Sequence, residues 1–314
     1  MLIVDVEEGE TLEQAEARHR AKNAAPRNGL HPTMTRAQYD RLARVNFSTL
    51  KHIGRSPLHY RAQEMRLNEN DTLARKLGRV RHRAIFEPEK MKAEVAVWRG
   101  GRRAGKEWDS FVEANEAREI ITEDEYEAVV VLAHAVRSDP TAGKYLQGGR
   151  SEASVLWSYS QQGTEALPGY SFDCKGRLDF LGAAIVDLKT CRDASPAGFG
   201  RHVWNYKAHV QAAWYVDGVR AATGKALPYV LIAVENVAPF AVQVYRVPEP
   251  ILDLGRDEYR TWLDRLNFCR TESQWPAYAD GELDLELPTW ATPAGDEDSD
   301  LSDLGITFQP ESNA

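Results

Sequence analysis

The spacing of apolar residues changes near residue 152, and this change constrains the fold more than any other feature of the chain. Upstream, apolar residues recur at helical spacing, as in Tyr39, Leu42 and Val45, again over residues 72–86 and again over 126–136. Ser56 followed by Pro57 predicts a further helix start, the serine capping and the proline filling the first turn. Downstream, Ala153, Val155, Trp157 and Tyr159 alternate with Glu152, Ser154, Leu156 and Ser158, as a half-buried strand requires. Residues 177–181 and 185–190 read as two more strands, joined by Gly182-Ala183-Ala184. A helix over 203–216, a strand pair over 229–235 and 240–247, and a closing helix over 257–269 complete the order. This succession predicts one α/β domain, a central mixed sheet flanked by helices with an N-terminal helical region.

Three segments are expected: a polar arm over residues 1–34, the domain over 35–290, and an acidic, disordered tail over 291–314. No apolar run reaches spanning length and the N-terminus turns acidic too early for a signal peptide, so a cytoplasmic location and no membrane partner are expected. Cys174, Cys191 and Cys269 form no Cys-x-x-Cys pair, which argues against a disulfide framework, a structural zinc site or a four-thiolate cluster. The net charge of −8 at first weighs against a nucleic-acid partner. Its distribution matters more. Acid is concentrated over residues 280–303, while positive charge clusters over 75–83 and 99–106, so a basic groove on an acidic chain stays open.

Strand alternation sends Asp187 and Lys189 to one side and Val186 and Leu188 to the other. In the preceding strand Arg177, Asp179 and Leu181 are expected on one face, with Leu178 and Phe180 on the other. A three-residue loop would set Leu181 opposite Ile185 and Asp179 opposite Asp187, with Cβ atoms about 5 Å apart. Carboxylates that close repel each other. A hard divalent cation relieves the repulsion, and Mg²⁺ binds through one or two carboxylates plus waters and phosphate. Lys189 beside such a cation could hold or activate the water that attacks a phosphodiester. Asp173-Cys174-Lys175 offers the same pattern, but Asp173 follows Pro168-Gly169 in an expected loop. Spacing alone leaves a solvated hairpin face as the alternative.

The order Asp179…Asp187-x-Lys189 resembles the core motif of the PD-(D/E)XK nuclease superfamily. The run from Gly78 through His82 to Glu87-Pro88-Glu89 resembles the histidine-bearing helix of its RecE-type exonuclease branch. Asp187-Leu188-Lys189-Thr190, followed by the run from Tyr206 through Gln211 to Tyr215, is similar to the catalytic strand and Gln-x-x-x-Tyr helix of that branch. Asn46-Phe47-Ser48-Thr49-Leu50-Lys51 and Gln274-Trp275-Pro276 extend the resemblance over residues 46–290. Leu178 stands where the superfamily name has proline, a variable position.

The resemblance implies 5′-to-3′ digestion of linear double-stranded DNA, leaving a 3′ single strand, with Mg²⁺ or Mn²⁺ as cofactor and a pair of ions per site. It further implies a single-strand annealing partner in phage or prophage recombination and a ring-shaped homo-oligomer. It assigns metal binding to Asp179, Asp187, the Leu188 carbonyl and the neutral imidazole of His82, with Glu152 as a further acidic candidate. Lys189 would position or activate water, and Gln211 and Tyr215 would support the site or position DNA.

On a helical wheel Leu73, Leu77, Val80 and Ala84 form one stripe, with His82 nearly opposite. Arg75 and Arg79 fall on the histidine's side, to meet phosphates or simply to face solvent. Gln211 and Tyr215 share a face, with packing as the rival role, whereas Tyr206, Val210 and Trp214 form a series suited to packing. An endonuclease of restriction or repair type and a DNA-binding protein without turnover are the competing functions. A metallohydrolase unrelated to nucleic acid finds no His-Glu-x-x-His set to support it.

Overall fold

The computed structural model describes residues 26–67, 71–163, 168–279 and 281–286. The expected acidic tail and most of the expected arm lie outside these residues. Residues 1–277 form one compact unit and 278–314 a second; in the second, the described residues hold neither helix nor strand. Among the described residues no helix is long and apolar enough to cross a membrane.

The strands, in chain order, are β1 (Gly29–His31), β2 (Val45–Asn46), β3 (Val95–Trp98), β4 (Glu119–Thr122), β5 (Arg150–Gln161), β6 (Tyr170–Leu181), β7 (Ile185–Cys191), β8 (Tyr229–Glu235) and β9 (Val242–Arg246). The main sheet runs β1-β5-β6-β7-β8-β9, with β2 beside β6, while β3 and β4 pair in parallel as a small sheet of their own. β1 lies within the stretch read as an arm, yet it pairs antiparallel with β5. The sheet is mixed: β7–β8 and β2–β6 are parallel, and the remaining pairs are antiparallel. A parallel neighbour requires a crossover. The chain supplies it with helices Pro196–Asn205 and Ala208–Thr223 between β7 and β8.

Four long helices cover the sheet, here α1 (Leu73–Phe86), α2 (Glu123–Ser138), α3 (Ala208–Thr223) and α4 (Glu249–Glu272). Trp157, Leu178, Ile185 and Leu231 pack with α3 and α4 into one core. Phe180, Val186, Leu188 and Ile232 pack with α1 and α2 into the other. Ser56 accepts from the His59 N–H with Pro57 in the first turn, as the sequence predicts.

Several expectations are corrected. Leu178 and Phe180 do not share a face; they enter opposite cores, so the alternation of β6 changes phase at Asp179. Across the ladder, Glu152 in β5 adopts φ 56°, and this local distortion coincides with the phase change. Asp173 is strand rather than loop, since Phe172 and Cys174 flank it inward and Ser158 opposite it donates to its carboxylate at 2.8 Å. The helix expected over 203–216 is two helices, broken where Lys207 turns left-handed at φ 59°.

α3 and α4 cross at Gly255, where a Cβ would meet the His209 carbonyl oxygen at 2.5 Å and the Ala213 Cβ at 2.9 Å. Neither obstacle is the end of a flexible chain. Gly255→Ala is therefore expected to destabilise the fold by about 1–3 kcal/mol, read as a lowered denaturation midpoint; an unchanged midpoint would contradict this packing.

Candidate active site

The β6–β7 hairpin closes as loop length predicts, with Leu181 opposite Ile185 and Phe180 opposite Val186. The ladder then stops and the strands separate, so the expected direct opposition of Asp179 and Asp187 does not form as a ladder pair. Further down the same edge, β2 pairs with Cys174 and Lys175 of β6. In the opening between β6 and β7 the Leu188 N–H, left without a strand partner on that side, donates to Asp179 Oδ2 at 2.9 Å. The N–H and C=O of one strand residue point to the same side, so the Leu188 carbonyl faces the same opening.

Asp187 is 2 % exposed. Its Oδ2 lies 2.5 Å from Lys189 Nζ. Gln211 closes a triangle: its Nε2 donates to Asp187 Oδ1 at 3.2 Å, and its Oε1 accepts from Lys189 Nζ at 2.8 Å. Tyr215, one turn further along α3, packs its ring so close to Gly176 that a Cβ there would come within 2.9 Å. His82 Nδ1 stands 3.5 Å from Asp179 Oδ2. Its ring meets Phe86 edge-on at 5.8 Å, and Phe86 stacks on Phe180 at 5.8 Å. The phase change in β6 thus supplies the residue that props the histidine helix.

Burial, more than any neighbour, pushes the Asp179 carboxyl up to about 6; His82 and Lys189 draw it down, Asp187 pushes it up, and the Leu188 N–H favours the ionised form. Burial also raises the Tyr215 and Tyr229 hydroxyls well above the usual phenol range, and the Asp187 charge adds to both.

The structure brings Asp179, Asp187, Lys189, Gln211, Tyr215, His82 and the Leu188 backbone to one locus. Glu152 lies between Ser151 and Ala153 of β5, where the ladder to β6 skips it and Asp179, and its carboxylate is engaged at 2.5 Å by Arg177 Nε. Arg79 is held by two carboxylates, Asp71 at 2.8 Å and Glu119 at 2.5 Å. The second basic run is likewise paired, Arg99 with Glu123 and Arg103 with Glu125. In the competing Asp173-x-Lys175 pattern, Lys175 is buried and donates to the Tyr39 and Leu42 carbonyls at 2.9 and 2.8 Å, which makes it a structural residue.

A cavity of about 1300 Å³ opens along β2 and the N-terminal half of β6, lined by eight Lys or Arg side chains against four Asp or Glu. Lys51 on its wall is pushed below the usual lysine range by burial first, then by Lys189 and Arg75. Sequence reasoning did not single out Lys51 as a charge near the site; no local spacing links it to Lys189.

Among the described residues no group of three or more His, Cys, Asp or Glu side chains is already arranged to hold a metal. The donor chemistry nevertheless fits a hard divalent cation. Two carboxylates, a main-chain carbonyl and an imidazole are the ligand types that Mg²⁺ and Mn²⁺ accept, and Mg²⁺ keeps several waters rather than a full protein cage. The raised Asp179 carboxyl marks a charge that nearby cations offset incompletely.

The mixed sheet and the hairpin opened around Asp179, Asp187 and Lys189 fit the PD-(D/E)XK nuclease superfamily, to which the family match assigns the chain. It belongs to the PDDEXK-like domain of unknown function family (DUF3799), which matches residues 46–285. A crystal structure from Eubacterium rectale, named as that of a candidate exonuclease, aligns with TM-score 0.52 at 15% identity, over 81% of this chain and 94% of that one. At that identity the likeness is one of fold. A second crystal structure, SSO0001, covers 68% of this chain and 84% of its own at 13% identity, with a TM-score of 0.26, too low to carry an argument. No curated protein matches the sequence.

A carboxyl raised from 3.8 to about 6 favours the folded state below pH 4, and this contribution is lost as pH rises through 6. Asp179→Asn keeps an acceptor for the Leu188 N–H without the buried charge. The variant is expected to exceed the wild type in stability by up to about 3 kcal/mol at pH 8 and to lose that advantage toward pH 4. Denaturant titrations at the two pH values test this; an equal difference at both would contradict it.

Proposed function

We propose that the protein is a metal-dependent exonuclease of the RecE type, digesting linear double-stranded DNA from 5′ to 3′. The observation that carries the reading is the opened hairpin, which gathers Asp179, Asp187, Lys189 and Gln211 in a chain of the PDDEXK-like family. The basic cavity beside it supports a polyanionic substrate, because a chain with a net charge of −8 keeps a positive lining there. Polarity, a ring-shaped oligomer and an annealing partner rest on the RecE resemblance.

Asp179, Asp187, His82 and the Leu188 carbonyl would hold Mg²⁺ or Mn²⁺, which supplies Lewis-acid polarisation of the phosphodiester. Lys189, aimed by its bonds to Asp187 and Gln211, directs its ammonium at the attacking water and keeps that oxygen in line with phosphorus. The water oxygen bonds to phosphorus as the bond to the leaving 3′ oxygen breaks; the water's proton passes to solvent, and the leaving oxygen is protonated from solvent. Gln211 fixes the lysine on one side and the carboxylate on the other, so neither can swing away. Glu152 is outside this ligand set because Arg177 engages it.

With Mg²⁺, a 5′-phosphorylated linear duplex is expected to release acid-soluble nucleotides while a covalently closed circle stays intact. Asp187→Asn and Lys189→Met should each slow release by roughly a thousandfold, the several kcal/mol that this kind of catalysis supplies, with an unchanged circular dichroism spectrum. Cleavage of the closed circle would point instead to an endonuclease, and undiminished activity in Asp187→Asn would sink the assignment.

Binding is separable from turnover. Millimolar Mn²⁺ should raise the melting temperature of the wild type by mass action, and Asp179→Asn combined with Asp187→Asn should abolish the rise. An equal rise in the double variant would place the ion elsewhere.

A further inference from the structure

Spacing groups Tyr206 with Val210 and Trp214, but only the latter two are buried; Tyr206 is 64 % exposed. The periodicity of α3 does not reach back past Lys207, whose left-handed backbone resets the direction of the chain. Tyr206 therefore stands at the turn between two helices, and Trp204 beside it is 58 % exposed.

Tyr206 is nonetheless held firmly. It is the outer ring of a stack that begins in the core. Tyr245 lies on Phe199 at 5.0 Å, Phe199 on His202 at 5.5 Å, and His202 against Tyr206 at 4.5 Å. Phe199 is buried, and the Tyr245 hydroxyl ties the base of the stack to the Ala194 carbonyl at 2.7 Å. Trp204 is already engaged, with its ring 5.2 Å from that of His209 and Lys207 Nζ 4.6 Å from its centre. Among the described residues, Tyr206 meets no ring except His202.

Two observations bring this turn close to the active site. The Gln211 N–H donates to the Lys207 carbonyl at 3.1 Å, so Tyr206 immediately precedes the residue that stands one helical turn before the glutamine gripping Lys189 and Asp187. Independently, the inner neighbour His202 is held below the usual histidine range, by burial first and then by the Lys189 charge.

An exposed, pre-positioned aromatic face next to a cationic hydrolytic site matches both parts of a nucleotide. The cationic groups answer its phosphate, and the ring offers a surface for its base, since every base has a π-face to stack. We propose that Tyr206 is a positioning residue on which the nucleobase flanking the scissile phosphodiester stacks, so that the strand end is held unpaired at Asp187 and Lys189. This inference rests on the nuclease reading and adds a base contact to it.

The test uses the full chain and an oligonucleotide duplex with 2-aminopurine as its 5′-terminal base, with Ca²⁺ in place of Mg²⁺. Wild-type protein is expected to quench the terminal fluorescence on binding. Tyr206→Ala should lose the quench and bind roughly 5- to 100-fold more weakly, whereas Tyr206→Phe, which keeps the ring, should retain both. A terminal abasic site should weaken wild-type binding as much as Tyr206→Ala does, with no further loss when the two are combined. Unchanged quench and affinity in Tyr206→Ala would overturn the stacking role, and so would a Tyr206→Phe variant as impaired as the alanine. A wild-type protein that binds no DNA would overturn the nuclease reading itself, and the stacking role with it.

Discussion

The β6–β7 hairpin holds its register for only two residue pairs, and the geometry of the site depends on that early separation. A continued ladder would occupy the Leu188 N–H with a backbone carbonyl. Separation leaves the N–H for the Asp179 carboxylate instead, which gives that donor its partner. β2 pairs with the lower part of β6, so the opening stays confined to the length of the catalytic residues. The change of phase at Asp179 sends Phe180 to the core under α1, where it carries Phe86 and, through Phe86, the His82 ring.

Much of this was legible in the sequence, and the exceptions have identifiable physical causes. The three-residue loop fixed the opposition of Leu181 and Ile185, because hairpin register follows loop length. The phase change was not legible, since it accompanies the unusual backbone of Glu152 on a neighbouring strand. Polar residues hid the first half of β6: Lys175 is buried only because carbonyls of residues 39 and 42 receive its ammonium. The shared face of Gln211 and Tyr215 was readable at four-residue spacing, but the contacts of Gln211 with β7 belong to tertiary structure. Tyr206 was misassigned because a helical wheel was extended through a left-handed residue.

Charge shows the same division between local and distant causes. Composition gives an acidic protein, and the basic runs along the chain suggest where phosphate would go. Folding reorders those runs. Arg79 meets Glu119, forty residues away, and Arg99 and Arg103 meet acids at the head of α2. The cationic surface that remains near the site is assembled from residues far apart in sequence, among them Lys51 and Lys189. A local count of lysines and arginines measures supply, while the fold decides which charges stay available.

The amide of Gln211 has two unlike ends, a donor turned to Asp187 and an acceptor turned to Lys189. That asymmetry makes it a directional connector. Rotating the amide by half a turn would set its oxygen against a carboxylate and its N–H₂ against an ammonium, two repulsions in place of two bonds. Glutamate, with the same shape, could serve the lysine but would confront the aspartate. Among side chains of this length, glutamine thus joins a fixed acid to a fixed base without adding charge of its own, so the balance between the two groups is left to the substrate.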